Sequence, residues 1–220
     1  MTQTSTLQDP RVVTALDAMF ARAAQDEVTG ARIEAARPDG FAPATPQELA
    51  DANAEVYMPI SAAGGKLLYS LIRAARPATV VEFGTSFGIS TLYLAAAVRD
   101  NGTGRVISSE LSADKIAAAR RTFAETGLDD LITVLEGDAR ETLAALDGPV
   151  DFLLLDGWKD LCLPVLRLLE PRLAPGTLVV TDDVDLPALA PCLDHVRDPR
   201  NGYESVTFPV EDGMEISCRL

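Results

Sequence analysis

The chain has 220 residues, 47% hydrophobic and 24% charged, with a formal net charge of −14. That balance suits one soluble domain with a real core and excludes an intrinsically disordered chain. The acidity argues against nucleic acid and anionic membrane as partners, because phosphate binding needs concentrated Lys and Arg.

In chain order, Met1-Thr2-Gln3-Thr4-Ser5 lacks a basic region and an apolar run, so no secretory leader is expected and the location predicted is cytoplasmic. The first ~75 residues read as helical on a loose 3.6-residue period. Val12, Val13, Leu16, Met19 and Phe20 make one apolar face. Pro38, Gly40, Pro43 and Pro46 mark a linker, and Leu67, Leu68, Leu71 and Ile72 make a second face. Residues 1–58 are expected to form a helical extension, either a lid or an arm for a homodimer, on an α/β core spanning residues 59–220.

From Thr79 strands and helices alternate. The predicted strands are Thr79–Phe83, Arg105–Ser109, Leu131–Glu136, Val150–Asp156 and Gly176–Thr181. The predicted helices are Ile89–Val98, Ser112–Glu125, Ala139–Leu146 and Leu161–Leu173, with another near Leu186–Val196. The strands are Val-, Leu- and Ile-rich without polar alternation, as expected when helices cover both faces of a parallel sheet. Tyr203–Pro209 and Met214–Leu220 flank the turn Glu211-Asp212-Gly213 and read as an antiparallel hairpin at the sheet edge. The fold class predicted is therefore α/β, a doubly wound, mostly parallel seven-stranded sheet of Rossmann-like type.

Ligands of open α/β sheets bind beyond the carboxyl ends of the strands. There the strands deliver Glu82, Glu110, Asp138, Asp156 and the pair Asp182-Asp183, a costly crowd of carboxylates unless cations or hydroxyls receive them. Gly84 and Gly88 permit a tight turn, with Ser90 in the next helix, although an ordinary strand-to-helix turn has the same look. Glu110 follows at the distance, on the order of 20 residues, where nucleotide-binding α/β proteins place a ribose-binding acid. Without G-x-G-x-x-G there is no pyrophosphate cradle, so a nucleoside without phosphates fits better. Asp156, Asp182 and Asp183 make a hard-oxygen set suited to Mg²⁺, with Ca²⁺ or Mn²⁺ as the other candidates, unless each merely caps a helix. Cys162, Cys192 and Cys218 have no metal-like spacing, and the single histidine, His195, leaves no multi-histidine site.

The stretch Val80-Val81-Glu82-Phe83-Gly84-Thr85-Ser86-Phe87-Gly88-Ile89-Ser90 resembles the S-adenosylmethionine loop of class I methyltransferases. Leu155-Asp156-Gly157-Trp158-Lys159-Asp160, followed by Leu178-Val179-Val180-Thr181-Asp182-Asp183, resembles the catechol O-methyltransferase family, and the likeness runs from about Ile60 to Val196. It implies an O-methyltransferase using S-adenosyl-L-methionine and a divalent metal on a hydroxyl of a small phenolic, catechol-like molecule. By the same resemblance Glu82, Gly84 and Ser90 hold the methionine end, Glu110 the ribose, and Asp138 and Ala139 border the adenine. Ile60, Ser86, Asp156 and Trp158 complete the cofactor's surround. Asp156, Asp182 and Asp183 are then the Mg²⁺ ligands and Lys159 the general base, provided that its pKa is depressed. Asp183 stands where catechol enzymes carry Asn, which adds a negative charge to the metal site. Gly157 replaces a His and Ser86 a Tyr, both implying a roomier cofactor surround. The family's C-terminal substrate-clamping glutamate has no counterpart here, since Pro209 falls near its place and Glu211 lies beyond it.

Two other readings compete. Gly84-Thr85-Ser86-Phe87-Gly88 also satisfies the nucleophile elbow G-x-S-x-G of α/β-hydrolases, with Asp182 and His195 following in the order of a serine esterase. Against it, the elbow follows the first strand and leaves Glu110, Asp138, Asp156 and Lys159 without a role. The other is a metal-independent methyltransferase of the same fold.

Overall fold

The computed structural model describes residues 5–36 and 44–220. Its strands are β1 (Thr79–Phe83), β2 (Arg105–Glu110), β3 (Ile132–Glu136), β4 (Val150–Leu155), β5 (Leu173–Asp182), β6 (Tyr203–Phe208) and β7 (Met214–Arg219). They form one sheet in the order β3-β2-β1-β4-β5-β7-β6. The first five are parallel, and β7 runs antiparallel to both β5 and β6. The seven-stranded, mostly parallel architecture and its C-terminal hairpin are as the sequence predicts.

The apolar strand runs follow from two covered faces. Val80, Phe152, Leu154 and Val180 pack on one face with helices α1 (Pro10–Ala23), α4 (Ala62–Ala75), α5 (Ile89–Asn101) and α6 (Ala113–Thr126). Val81, Leu153, Leu155 and Val179 pack on the other with α8 (Lys159–Leu169) and α9 (Ala190–Arg197). All eight strand residues have no solvent exposure, and each contributes about 1.5–3 kcal/mol of burial. Chain order reverses between β1 and β4, so their carboxyl ends diverge and open a crevice.

Several elements differ in extent from their predicted bounds. Helix α7 (Ala139–Thr142) is a single turn rather than reaching Leu146, with Ala139 and the following Leu143 buried and Leu146 half-buried against the same core. Helix α8 starts at Lys159 and stops at Leu169, because Pro171 in the following turn lacks an amide to continue the ladder. Strand β5 begins at Leu173, where a helix was expected, with exposed residues 174–176 ahead of its buried half.

Near the N-terminus lie α2 (Asp26–Ala35) and α3 (Pro46–Ala52). Pro38, Gly40 and Pro43 lie outside the described residues. Pro46 is not linker but the first residue of α3, preset by its ring and capped by Thr45 and Glu48 in a capping box. Val12, Leu16 and Met19 are buried, whereas Val13 is 39% exposed, so the face of α1 is narrower than its periodicity implies. Helix α1 is latched below by Asp100 near the end of α5, whose carboxylate accepts the Thr6 amide at 3.0 Å, the Ser5 hydroxyl at 3.2 Å and the Tyr69 hydroxyl at 2.6 Å. Among the described residues no helix is long and apolar enough to cross a membrane.

Candidate active site

A cavity of about 340 Å³ opens at the crevice beyond β1 and β4, within the size range of small-ligand sites. Its floor is the loop after β1. Gly84 has φ +104°, and a Cβ there would lie 2.6 Å from the Asp156 carbonyl oxygen, so the two loops touch backbone to backbone. Gly88 opens α5 at φ +94°, with the Phe123 ring 2.6 Å from where a Cβ would be. Both glycines are thus required by conformation and by space.

Backbone strain gathers here. Of the five described non-glycine residues with positive φ, Met58, Ser86 and Asp183 line the cavity, and Glu211 contacts Ser61 just after its wall. Arg76, the remaining one, caps α4. Such conformations persist where surrounding contacts over-determine them, typically at binding sites.

The structure brings Ile60, Gly84, Ser86, Ser90, Glu110, Asp138, Ala139, Asp156 and Trp158 to the cavity wall, together with Lys159 and Asp183. The Glu110 carboxylate accepts the amides of Ser86, Leu111 and Ser112, each at 2.8 Å, which aims it across the cavity edge. Asp138 caps α7 and is gripped by Arg140, which holds its carboxyl below the usual carboxylate range.

Glu82 departs from its expected place. It does not line the cavity: its carboxylate is wholly buried and receives the hydroxyls of Ser90 at 2.6 Å, Thr91 at 2.5 Å and Ser108. Burial pushes its pKa up to about 7 against the pull of those three donors. Its three hydroxyl partners brace the loop that carries the cavity. Gly157 also differs from expectation. The space that a side chain would take is filled by the Phe83 ring, 2.4 Å from an ideal Cβ, so this wall is packed and not roomier.

Asp156, Asp182 and Asp183 converge as expected, each offering an oxygen within 4.8 Å of the others. Asp156 ends β4 and Asp182 ends β5, while the left-handed Asp183 (φ +61°) turns its carboxylate back to the same point. The Lys159 ammonium sits between Asp156 and Asp183, 2.9 Å from each. One ammonium against three carboxylates leaves the centre short of positive charge, and Glu211 adds to the negative field at Asp156 and Asp182. Burial, then repulsion from Asp156 and Asp183, pushes Asp182 up to about 8. For Lys159, burial pulls the pKa down but the two carboxylates outweigh it and hold the proton well above the usual lysine range. While so paired, Nζ is held as an ammonium.

The serine-esterase alternative does not survive the geometry. The Ser86 hydroxyl donates to the Tyr57 carbonyl at 2.7 Å and accepts from Lys115 at 3.1 Å. His195 is elsewhere on α9, its Nε2 2.7 Å from Glu170, and Asp182 belongs to the acidic cluster.

Sequence reasoning gave no role to five residues of the wall. Tyr57 and Phe87 stack at 3.9 Å, Met58 forms part of the rim with Leu186, and Lys115 reaches Ser86 from α6. Lys115 had a legible signal, for it falls on the buried i, i+4, i+8 stripe with Ala119 and Phe123.

Comparison with known proteins fits this geometry. A family model described as "Methyltransferase domain" matches residues 81–184. Catechol O-methyltransferase B of Danio rerio is 31% identical over 170 residues, 71% of this chain and 63% of that protein. Catechol O-methyltransferase of Sus scrofa is 30% identical over 140 residues, 60% of this chain and 74% of that protein. The chain thus spans under two thirds of the length of the Danio rerio protein. Among solved structures, the SAH-bound methyltransferase PaMTH1 of Podospora anserina superposes with a TM-score of 0.67 at 22% identity, covering 80% of this chain and 86% of that one.

An open sheet with its cavity at the strand-order reversal, a glycine turn after β1 and an acid after β2 define a Rossmann-like α/β class. Within it, the chain belongs to the S-adenosylmethionine-dependent O-methyltransferases of the catechol O-methyltransferase family.

Proposed function

We propose that the protein transfers the methyl group of S-adenosyl-L-methionine to a hydroxyl of a small phenolic acceptor, with a divalent cation held by Asp156, Asp182 and Asp183. The observation that carries the reading is the acidic cluster beside the cavity, where three carboxylates converge and one ammonium pairs with two of them. Its donors are all hard oxygens, which fit Mg²⁺ best and Mn²⁺ or Ca²⁺ next. The cofactor's fit rests on the glycine cradle, where a Cβ at Gly84 would collide with backbone, and on Glu110 facing the cavity.

The cofactor would supply an electrophilic methyl on sulfur, and the cation would supply Lewis acidity toward the acceptor oxygen. The remaining work belongs to the chain. Glu110 accepts hydroxyls at the ribose end, and Trp158 with Ala139 offers flat apolar surface to an adenine ring. Asp156 and Asp183 hold the Lys159 proton at Nζ, so that this ammonium donates toward an anionic acceptor oxygen and positions it. Were Asp156 and Asp183 to hold a cation instead, Lys159 would lose this pairing, and only after giving its own proton to solvent would Nζ be free to accept one from the acceptor hydroxyl. Met58 and Leu186 keep the mouth apolar and limit water.

Release of S-adenosylhomocysteine with a panel of catechols, with and without EDTA, tests the reading. Activity that requires Mg²⁺ and vicinal hydroxyls is the expected result. The double ion pair of Lys159 favours a second reading, in which the ammonium itself serves as the cation and EDTA leaves turnover unchanged.

A further inference from the structure

Lys115 is the feature that this reading leaves without a role. It is 6% exposed, yet it lines the cavity. Burying an ammonium is costly unless a carboxylate or a full set of acceptors receives it. Among the described residues no carboxylate lies within salt-bridge distance of it. Its single hydrogen-bond acceptor among the described residues is Ser86 Oγ at 3.1 Å, and it stands 5.5 Å from the centre of the Phe87 ring. An ammonium has three protons to give, and only one is used. Burial holds its pKa below the usual lysine value, and Glu110 and Asp26 offset only part of that pull.

The neighbour that Lys115 shares supplies the second observation. Ser86 receives Lys115 at its hydroxyl and gives its amide to Glu110 Oε2 at 2.8 Å. The ammonium and the carboxylate therefore flank one residue and face one cavity. Glu110 already accepts three amides, which leaves about one of the roughly four acceptor positions of a carboxylate for a ligand. A hydroxyl that donates to that position still has lone pairs to be satisfied, and Lys115 has protons with no acceptor.

We infer that Lys115 is the second half of a ribose clasp, in which a cofactor hydroxyl that donates to Glu110 accepts a hydrogen bond from Lys115 Nζ. The inference rests on the proposed use of S-adenosylmethionine and assigns a positioning residue within that site. The clasp makes nucleoside affinity depend on both partners. It also ties the N-terminal segment to the ligand, since Ser86 holds Tyr57 and Asp26 holds the Tyr57 and Met58 amides.

The test is calorimetric titration of the full-length protein with S-adenosylhomocysteine, its 2′-deoxy and 3′-deoxy analogues, and 5′-methylthioadenosine. The wild type, Lys115→Met and Lys115→Arg are compared. No binding of S-adenosylhomocysteine to a folded wild type sinks the cofactor reading itself and not only the clasp. The expected result is roughly tenfold weaker binding to Lys115→Met, a loss equally large for 5′-methylthioadenosine and absent for one deoxy analogue, with partial rescue by Lys115→Arg. An equal loss for every ligand, deoxy analogues included, overturns the clasp and leaves Lys115 as a brace for Ser86. A loss with S-adenosylhomocysteine but none with 5′-methylthioadenosine overturns it in favour of a contact with the amino-acid end. Unchanged affinity throughout overturns it outright.

Discussion

Two groups of carboxylates near the crevice solve the same electrostatic problem in opposite ways. Glu82 is alone and sealed, with three hydroxyls aimed at it and no solvent exposure. Asp156, Asp182 and Asp183 are crowded, with one ammonium among three acids. The first arrangement is complete as it stands and holds the loop after β1 in shape. The second is incomplete, and completion by a cation is what would make it useful. Burial alone does not mark a binding carboxylate; the supply of partners does.

The contrast is broken most forcefully at Asp182. Asp182→Ala is expected to lower turnover by a hundredfold or more, on the order of 3 kcal/mol of transition-state stabilisation. The same change abolishes the rise in melting temperature on adding Mg²⁺, which in the wild type reaches about 3 kcal/mol at a hundred times the dissociation constant. S-adenosylhomocysteine release measures the first and thermal scans with and without EDTA the second; a metal-induced shift that persists in the variant counts against the cluster as the metal site.

At Glu82 the expected loss is one of stability. Glu82→Ala strands three buried hydroxyls and opens a cavity, costing about 2–4 kcal/mol in urea unfolding. The pH dependence follows from its raised pKa. A carboxyl with a folded pKa near 7 and an unfolded pKa near 4.5 favours the folded state fully below the lower value. That contribution is lost as pH rises toward the upper one. Stability should therefore fall between these limits, and Glu82→Gln should flatten the slope. A slope unchanged in Glu82→Gln would assign it to other groups.

A smaller effect is expected at Gly157, where the Phe83 ring fills the place of a side chain. Gly157→Ala should cost about 1–3 kcal/mol through overpacking, and adding Phe83→Leu should recover part of it. Recovery measured in a double-mutant cycle would show that the wall between the two carboxylate regions is set by this ring.

Much of this site was legible beforehand, and the exceptions share a cause. Unbroken Val/Leu/Ile runs announced β1, β4 and β5 because both sheet faces are covered. The terminal acids were legible because strand ends are readable and the chemistry sits there. The burial of Glu82 was not legible because a hydroxyl cage assembled from Ser90, Thr91 and Ser108 is a tertiary fact, spread over two helical positions and a neighbouring strand. Gly157 was misjudged because a missing side chain can mean space or a neighbour's ring. The Lys159 pairing could not be ordered by strength from sequence, since its balance of burial against two carboxylates depends on distances of 2.9 Å.

The latch at Asp100 has a consequence for how long a ligand stays. Helix α5 starts at the cavity and ends at Asn101, so Asp100 lies at the opposite end of the sheet. Helix α1 leaves that latch and, over about 21 Å, returns along α6 toward the segment where Asp26 holds Tyr57 and Met58. It is a strut between a far anchor and the roof of the pocket. Asp100→Ala should therefore shorten ligand residence time, read by stopped-flow release of S-adenosylhomocysteine, although no atom in contact with the pocket has changed. Off-rate becomes a quantity adjustable from the back of the molecule, independent of the acids that would perform the chemistry.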